Sequence, residues 1–352
     1  MSGVSLVIQT SYLGDMVLTT PLIAELATRG PVDVVATPAS AGLLANNPFV
    51  RKLFVYDKRG SNAGFRGLLR MARSVSDFYR SPESRAVPRE RTAYMAQGSV
   101  RSAALARLAG VRTLVGFDSS AAHHLYTVRV PHDGSAHHTV RLWSLAGAGS
   151  AMPAGEVPPP RLYPGDAERA AVDQLLGHHA DPRPLVVLAP GSAWATKRWP
   201  YYPRLAARIA DGNRLAVVGS AADSDLARLI IDAVGAQGVV DATGKLSLLA
   251  SAELIGRADV VVSNDSLPQH LASAMSTPTV TIFGPTAPEF GFGPLAPRSV
   301  TVRHPSLPCQ PCHHHGLHKC PLGHLKCMLE LDVEVVERAV GSILEGTSKG
   351  KL

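Results

Sequence analysis

The segment Val260–Ala272, VVVSNDSLPQHLA, decides the fold of this chain. It begins with three uninterrupted valines, a run typical of a strand in a parallel sheet that is covered on both faces. Asp265 and Ser266 follow, and then Pro268, a residue favoured in the first turn of a helix. A buried strand that passes directly into a helix is the repeating unit of doubly wound sheets, so the segment predicts an α/β fold.

The same alternation of short β-branched runs and helical-period segments covers most of the 352 residues. Predicted strands are Val4–Gln9, Val32–Ala36, Lys52–Tyr56, Leu185–Ala189, Leu215–Gly219, Gly238–Asp241, Val260–Ser263 and Thr279–Phe283. Predicted helices are Pro21–Arg29 with Thr20 as its cap, Phe65–Ser74, Val100–Ala109, Tyr202–Ala210, Leu226–Val234, Leu248–Arg257, Pro268–Ser276 and Val333–Leu344. A chain of this length is longer than a single hydrophobic core usually supports. We therefore expect two doubly wound, Rossmann-like domains that face a central cleft.

A Pro/Gly-rich stretch at about residues 150–165 predicts the linker between the domains. The first domain would cover residues 1–160 and the second 161–331, including a Cys/His-rich loop at 305–328, while a helix and tail fill 332–352. Apolar residues make up 45% and charged residues 18%, which excludes a disordered or fibrous chain. Neither a membrane span nor a signal peptide is indicated, and we expect a cytoplasmic protein.

Positive charge is concentrated in the first half of the chain. Residues 1–160 hold 17 Lys and Arg against 10 Asp and Glu, and residues 51–112 hold 14 against 4, whereas residues 161–352 hold 18 of each. Such an excess suits an anionic partner, namely nucleic acid, an acidic membrane surface or a phosphorylated substrate. The alternative is a solvated surface without a ligand.

The turn after the first predicted strand carries a carboxylate in place of a nucleotide fingerprint. Neither G-x-G-x-x-G nor a P-loop occurs in Gln9–Pro21, but Asp15 follows Gly14, whose lack of a side chain permits close approach of a ligand. Asp15 could therefore accept a proton from a substrate hydroxyl. Alternatively, it only caps a helix that begins near Met16.

The equivalent turn of the second domain, Ala189–Pro200, has a composition suited to phosphate. Gly191 and Ser192 offer a tight turn with backbone N–H groups, and Lys197 and Arg198 add positive charge. The other interpretation is a surface loop anchored by its two tryptophans, and both can hold at once.

Two further turns of the second domain offer groups to an anion. Asp265 or Ser266 would cap the following helix, whose amides and dipole form an anion site. His270 would reach a phosphate oxygen or remain a buried structural imidazole. Gly284 and Thr286 follow the strand Thr279–Phe283. Polar, glycine-bearing turns at several strand ends together indicate a nucleotide with its phosphates.

The four cysteines lie close together in sequence, at Cys309, Cys312, Cys320 and Cys327, with five histidines nearby. One C-x2-C pair followed by looser spacing is compatible with a structural zinc site, and the alternative is four thiols without a metal. Four thiolates would leave no open coordination position, so we expect a structural and not a catalytic role for such a metal.

Taken together, the motifs have an order typical of one family. They are Leu13–Val17 with Thr20-Pro21, Arg101-Ser102 through Ala109–Val111 to Gly116-Phe117, Pro190–Ser192 leading to Lys197–Pro200, Thr243-Gly244, Asn264–Ser266 with His270–Ala272, Phe283–Thr286, and Cys320–His324 ending in Cys327-Met328. Over nearly its whole length the chain resembles the lipopolysaccharide heptosyltransferases of glycosyltransferase family nine, most closely the heptosyltransferase II branch. Leu267 departs from the pattern, because many members have glycine there.

The resemblance implies a GT-B fold in which the first domain binds the acceptor and the second binds ADP-heptose. The implied reaction is an inverting, metal-independent transfer of heptose to inner-core lipopolysaccharide. Asp15 matches the proposed general base and Lys197 the phosphate-binding lysine. Asp265, Ser266 and His270 match the segment that holds the diphosphate and sugar.

The predicted binding set and the partners complete this interpretation. The remaining predicted substrate- and nucleotide-binding residues are Gly14, Ser192, Thr196, Gly284 and Thr286, with Arg101 as a basic residue on the acceptor side. No cofactor is expected beyond the structural zinc. The acceptor would be a Kdo-lipid A molecule, and the basic first half would orient that domain peripherally on the anionic inner membrane.

Two other function classes compete with this interpretation. One is another nucleotide-sugar glycosyltransferase or an epimerase of the same fold. The other is a basic nucleic-acid-binding protein with a Cys/His metal site. Aromatic residues are only 5% of the chain and no nucleic-acid motif accompanies the arginines, so we expect no nucleic acid among the partners.

Overall fold

The computed structural model describes residues 3–85, 90–148, 153, 155–177 and 181–348, and the chain divides into two compact units. Unit 1 is Met1–Tyr163 and unit 2 is Pro164–Leu352. The division falls within the Pro/Gly-rich stretch expected to be a linker, of which residues 149–152 and 154 lie outside the described residues.

Unit 1 is built on a sheet in which every neighbouring pair of strands is parallel. Its strands are β1 (Val4–Gln9), β2 (Val32–Ala36), β3 (Val50–Val55), β4 (Arg91–Met95), β5 (Thr113–Phe117) and β6 (Val128–Val130), in the spatial order β3-β2-β1-β4-β5-β6. Its α-helices are α1 (Leu13–Ala27), α2 (Pro38–Leu43), α3 (Gly64–Arg80), α4 (Pro82–Arg85), α5 (Val100–Leu108) and α6 (His138–Ser144). The winding reverses between β1 and β4, where ligands of doubly wound sheets bind.

Unit 2 repeats this architecture. Its strands are β7 (Leu185–Ala189), β8 (Arg214–Val217), β9 (Val239–Asp241), β10 (Val260–Asn264), β11 (Thr279–Phe283) and β12 (Val300–Arg303), in the spatial order β12-β11-β10-β7-β8-β9. Its α-helices are α7 (Asp166–Leu176), α8 (Tyr202–Ile209), α9 (Ser224–Val234), α10 (Leu248–Gly256), α11 (Leu267–Met275), α12 (Lys326–Leu329) and α13 (Val333–Ser348). Its winding reverses between β7 and β10. The predicted α/β fold with two doubly wound sheets is confirmed.

Helix α1 begins earlier than the sequence predicts. We expected Thr20 to cap a helix beginning at Pro21, but the helix begins at Leu13 and includes Pro21. Proline has no N–H to donate to the carbonyl four residues earlier, which here belongs to Val17. The Thr20 hydroxyl donates to that carbonyl oxygen at 2.7 Å. The Thr-Pro pair therefore sustains the helix, and the predicted start was wrong.

Each sheet packs against its helices and forms a hydrophobic core of its own. In unit 2, residues of α8 and α13 pack with strands β7, β10 and β11, and the central strand β10 is buried along its whole length. In unit 1, α3 and α5 pack on β1 and β4. No helix in the described ranges is both long enough and apolar enough to cross a membrane.

Candidate active site

Lys197 and Asp265 form a buried ion pair where the winding of the unit 2 sheet reverses. Asp265 directly follows β10, and Lys197 lies in the turn after the neighbouring strand β7. The Lys197 ammonium lies 2.6 Å from Asp265 Oδ2 and 3.1 Å from the Asp265 carbonyl oxygen. Both side chains are about nine-tenths buried, at 10% and 9% exposure. Because solvent screens buried charges less, the ammonium and the carboxylate attract each other more strongly than a surface pair does.

The carboxylate of Asp265 accepts hydrogen bonds from two further buried donors. The Thr286 hydroxyl, in the turn after β11, donates to Oδ2 at 2.7 Å. The Gln269 side-chain amide, in α11, donates to Oδ1 at 2.7 Å. We expected the Thr286 hydroxyl to face a ligand, and the structure bonds it to Asp265. Gln269 was missed, because a glutamine within a helix gives no signal of its own.

The start of α11 lies against the glycine turn that follows β7. Ser266 is the N-cap residue, but its hydroxyl donates to the Gly191 carbonyl oxygen at 3.3 Å and makes no cap bond within the described structure. Ser266, one of the two residues predicted to cap the helix, is therefore the cap residue, although its hydroxyl bonds to Gly191. Ser192 accepts a hydrogen bond from the Trp194 N–H at 3.3 Å, and His270 is buried one turn into the helix. The turn after β7 and the start of α11 thus lie side by side, as predicted.

The Cys/His-rich loop forms hydrogen bonds with two of the predicted nucleotide-binding residues, Thr196 and Gly284. Thr196 donates to the Leu317 carbonyl oxygen through both its N–H and its hydroxyl, at 3.0 and 2.7 Å, and its hydroxyl accepts from the Leu317 N–H at 2.8 Å. The Gln310 amide donates to the Gly284 carbonyl oxygen at 2.6 Å. A Cβ on Gly284 would lie 2.6 Å from the Met328 methyl carbon, so the Met328 side chain would have to shift to admit one. The loop therefore supports the turns after β7 and β11.

The four cysteines of this loop are free thiols. Burial, followed by the neighbouring Cys312, Cys320 and Cys309, raises the pKa of Cys327 to about 11. Burial also acts on Cys320, but the backbone N–H groups of residues 322–325 outweigh it and lower its pKa. Within the ranges that the structure describes, no group of three or more His, Cys, Asp or Glu side chains is arranged to hold a metal ion. A structural zinc here stays a prediction, which elemental analysis of protein purified without added metal would test.

In unit 1, Asp15 lies in the first turn of α1, where the winding of the sheet reverses. The Ser11 hydroxyl donates to Asp15 Oδ2, and the His138 Nε2 lies 3.9 Å from Asp15 Oδ1. The Asp15 side chain is 20% exposed, so it is open to a substrate and not buried in the core. Gly14 precedes it in the same turn. The structure thus places a carboxylate and an imidazole together, although they are 123 positions apart in the sequence.

His138 is neutral at physiological pH. Burial, followed by the nearby Arg141, His137 and His132, lowers the pKa of its imidazole to about 3. Its contact with Asp15 is therefore not an ion pair at pH 7. His138 was not predicted from the sequence, because its neighbour in space, Asp15, lies near the other end of unit 1 in the sequence.

Two basic side chains of unit 1, Arg101 in α5 and Lys58 in the loop that precedes α3, make hydrogen bonds near the Asp15 turn and that loop. Arg101 donates to the Tyr56 hydroxyl at 2.5 Å and to the carbonyl oxygens of Asn62 and Gly64 at 3.1 and 2.8 Å. Lys58 donates to the Thr10 carbonyl oxygen, next to the Asp15 turn, and burial lowers its pKa. The predicted acceptor-side residue Arg101 is thus bonded to the β3–α3 connection, and Lys58 adds a positive charge that we did not predict.

A family model supplies the identification. The model described as "Glycosyltransferase family 9 (heptosyltransferase)" matches residues 89–322. The chain belongs to this family. The resemblance seen in the sequence is therefore confirmed, and the protein is a glycosyltransferase.

Individual relatives agree with the family 9 assignment. The chain is 27% identical to lipooligosaccharide heptosyltransferase 2 of Haemophilus influenzae, an alignment that covers 85% of this chain and 88% of the relative. In fold it is similar to E. coli ADP-heptose LPS heptosyltransferase II, with a TM-score of 0.78, 22% identity and 98% and 99% of the two chains covered. It is also similar to a family 9 glycosyltransferase from Veillonella parvula, with a TM-score of 0.83, 20% identity and 98% of each chain covered.

Family 9 membership decides between the competing function classes. An epimerase and a nucleic-acid-binding protein are both disfavoured, because the matched residues include the turns after β7, β10 and β11 that build the unit 2 site. The match begins at residue 89, so the Asp15 turn lies outside it. The role of Asp15 therefore depends on geometry and on chemistry.

Proposed function

We propose that this protein transfers heptose from ADP-heptose to the inner core of lipopolysaccharide, with inversion at the anomeric carbon. The family description and the name of the Haemophilus influenzae relative support the sugar and the acceptor. The observation that carries the proposal is the buried Lys197–Asp265 pair at the switch point of unit 2. A fixed cation at the carboxyl ends of parallel strands is suited to a nucleotide diphosphate.

On the donor side, Lys197 would stabilise the leaving ADP. Negative charge grows on the diphosphate as the bond to the sugar breaks, and a positioned cation compensates it. The start of α11 adds the positive end of the helix dipole. With this charge supplied by the protein, the proposed reaction needs no catalytic metal.

On the acceptor side, Asp15 would act as the general base. An acceptor hydroxyl attacks the anomeric carbon of the heptose, its proton passes to the Asp15 carboxylate, and ADP leaves from the opposite side. The Ser11 hydroxyl bond holds one carboxylate oxygen, and the second lies towards neutral His138. A partly exposed carboxylate held in this way is suited to proton transfer.

We further propose a peripheral position on the cytoplasmic face of the inner membrane, where a Kdo-lipid A acceptor would be reached. Helix α3 supports it, because Arg66, Arg70 and Arg73 line a shallow groove on its outer side. Phe65 at its start is 68% exposed. Arginines beside an exposed aromatic ring suit an anionic lipid surface.

A transfer assay with a panel of donors tests the proposed activity. The protein would be incubated with heptose-deficient lipopolysaccharide and with ADP-heptose, ADP-glucose or a UDP-sugar, and the acceptor mass would be measured. We expect a heptose adduct with ADP-heptose and none with the other donors. Equal transfer from a UDP-sugar would contradict the proposed donor. If the acceptor gained no adduct with any donor, the proposed reaction would be contradicted.

A further inference from the structure

Gln269 is a fully buried amide that touches the ion pair of the donor site. It lies in α11, four residues after Asp265, and has 0% exposure. Its Nε2 donates to Asp265 Oδ1, while Thr286 and Lys197 donate to Oδ2. Three donors from three different parts of the fold thus hold one carboxylate, and among the residues that the structure describes Gln269 is the one that donates to Oδ1.

The orientation of the amide is fixed by the charge of Asp265. If the amide were reversed, its oxygen would face the carboxylate oxygen and the two would repel each other. In the orientation observed, Gln269 Oε1 is buried and has no hydrogen-bond partner among the described residues. A buried, unpaired carbonyl oxygen costs free energy, and a methionine would fill similar space without that cost. Packing alone therefore does not account for an amide here, whereas its bond to Asp265 does.

The position of Asp265 in turn determines the position of Lys197. Two of the three ammonium hydrogens have acceptors on Asp265, namely Oδ2 and the backbone carbonyl oxygen. A carboxylate that could rotate would carry the ammonium with it, because a buried ion pair separates only at high cost. Gln269 and Thr286 are neutral, so they fix the carboxylate without adding a charge that competes for phosphate.

We propose that Gln269 is a positioning residue of the donor site, whose amide fixes Asp265 so that the Lys197 ammonium is held in place for the diphosphate. The identity of the ligand rests on the proposed function. The bond between Gln269 and Asp265 would then contribute to nucleotide affinity although Gln269 is fully buried.

The substitution Gln269→Glu tests this inference, because it keeps the shape of the side chain and makes its donor depend on pH. When protonated, the introduced carboxyl can still donate to Asp265; when ionised, it repels Asp265. ADP affinity would be measured by calorimetry between about pH 5.5 and about pH 8.5. The ionisable side chains of Lys197, Asp265 and the buried His270 lie nearby, so the wild type is measured over the same range.

We expect the ADP affinity of Gln269→Glu to lie within about 3-fold of wild type at the acidic end and to be at least about 10-fold weaker at the alkaline end. Gln269→Met, which has no donor, should be about 10-fold weaker at every pH. The control is Thr281→Val, which removes a buried hydroxyl that lacks a partner in the described structure and should leave ADP affinity unchanged.

A Gln269→Glu pH profile parallel to that of wild type would overturn the inference, as would wild-type affinity in Gln269→Met. Melting temperatures of all variants separate loss of folding from loss of binding. If wild type itself does not bind ADP, the proposed function fails; if wild type binds and the profiles are parallel, only the positioning role fails.

Discussion

At the scale of single residues, the donor site depends on contacts that no local pattern contains. Lys197 and Asp265 were predicted to follow two strands of the same domain, and parallel strands end at the same edge of a sheet. Their direct pairing at 2.6 Å, and the bonds from Thr286 and Gln269, depend on side-chain directions that only the folded structure defines.

Lys197→Ala should weaken ADP binding and slow transfer together. It removes the cation proposed to bind the diphosphate, and loss of one such donor typically costs about 10²–10³ in rate. We expect ADP affinity to fall at least about 10-fold as well. Calorimetry and single-turnover transfer, well below the melting temperature, measure both quantities.

The matched control is Lys245→Ala, whose ammonium pairs with Asp241 on the surface and is 53% exposed. This variant should retain wild-type ADP affinity, because exposed pairs contribute little. Unchanged ADP affinity in Lys197→Ala would refute the assignment of this lysine.

His138 should make unit 1 sensitive to acid. The pKa of its imidazole is about 3 in the folded protein against the ordinary value of 6.5, so the unfolded chain binds more protons between these values. The contribution of the neutral His138 imidazole to the stability of the folded protein is therefore fully present above pH 6.5, and it declines as the pH falls below that value. At pH 5 this group would account for a loss of about 2 kcal/mol relative to pH 7.5.

The test compares melting temperatures of wild type and His138→Gln at both pH values. Gln cannot be protonated, so the fall in melting temperature on acidification should be smaller in this variant. The exposed His124 serves as control, and His124→Gln should behave as wild type. An equal acid-induced fall in His138→Gln would show that this histidine is not held neutral by the fold.

At the scale of elements, several buried strands were predicted closely, whereas β4, β5, β6 and β12 were missed. Buried strands β1, β7 and β10 lie close to their predicted bounds. Strand β4, with the sequence RTAYM, has one β-branched residue and was missed, although it pairs with β1 in the centre of its sheet. Its burial comes from its neighbours in space, and not from its own composition.

Removing charge from α3 should weaken binding to anionic membranes. The double variant Arg66→Gln/Arg73→Gln removes two arginines from the groove, and each charge near an anionic surface is worth about 1 kcal/mol. We expect at least about 10-fold less co-sedimentation with phosphatidylglycerol vesicles, and weaker binding of wild type at high salt.

The control with the same change of net charge is Arg204→Gln/Arg228→Gln, on exposed helix positions of unit 2. It should bind vesicles as wild type does. Equal losses in the two double variants would indicate only a non-specific effect of net charge, and the assignment of the α3 surface would be wrong.

At the scale of the whole molecule, the architecture followed from sequence more completely than the site did. Two doubly wound sheets follow from the chain length, the alternation of strands and helices, and the Pro/Gly-rich stretch. All three are properties of the sequence itself. The pairing of Asp15 with His138 joins the first and last helices of unit 1, and it could not be inferred without the fold. The proposed chemistry likewise draws on both units, with a base in unit 1 and a diphosphate site in unit 2.

The most direct measurement is a paired one on the substitution Asp15→Asn, in which heptose transfer from ADP-heptose and affinity for ADP are determined on the same preparation. Asparagine keeps the shape but cannot accept the proton, so transfer should fall by about 10²–10⁴. ADP affinity should stay within about 2-fold of wild type, since the diphosphate site is in unit 2. Transfer at the wild-type rate, or loss of ADP binding, would contradict the account.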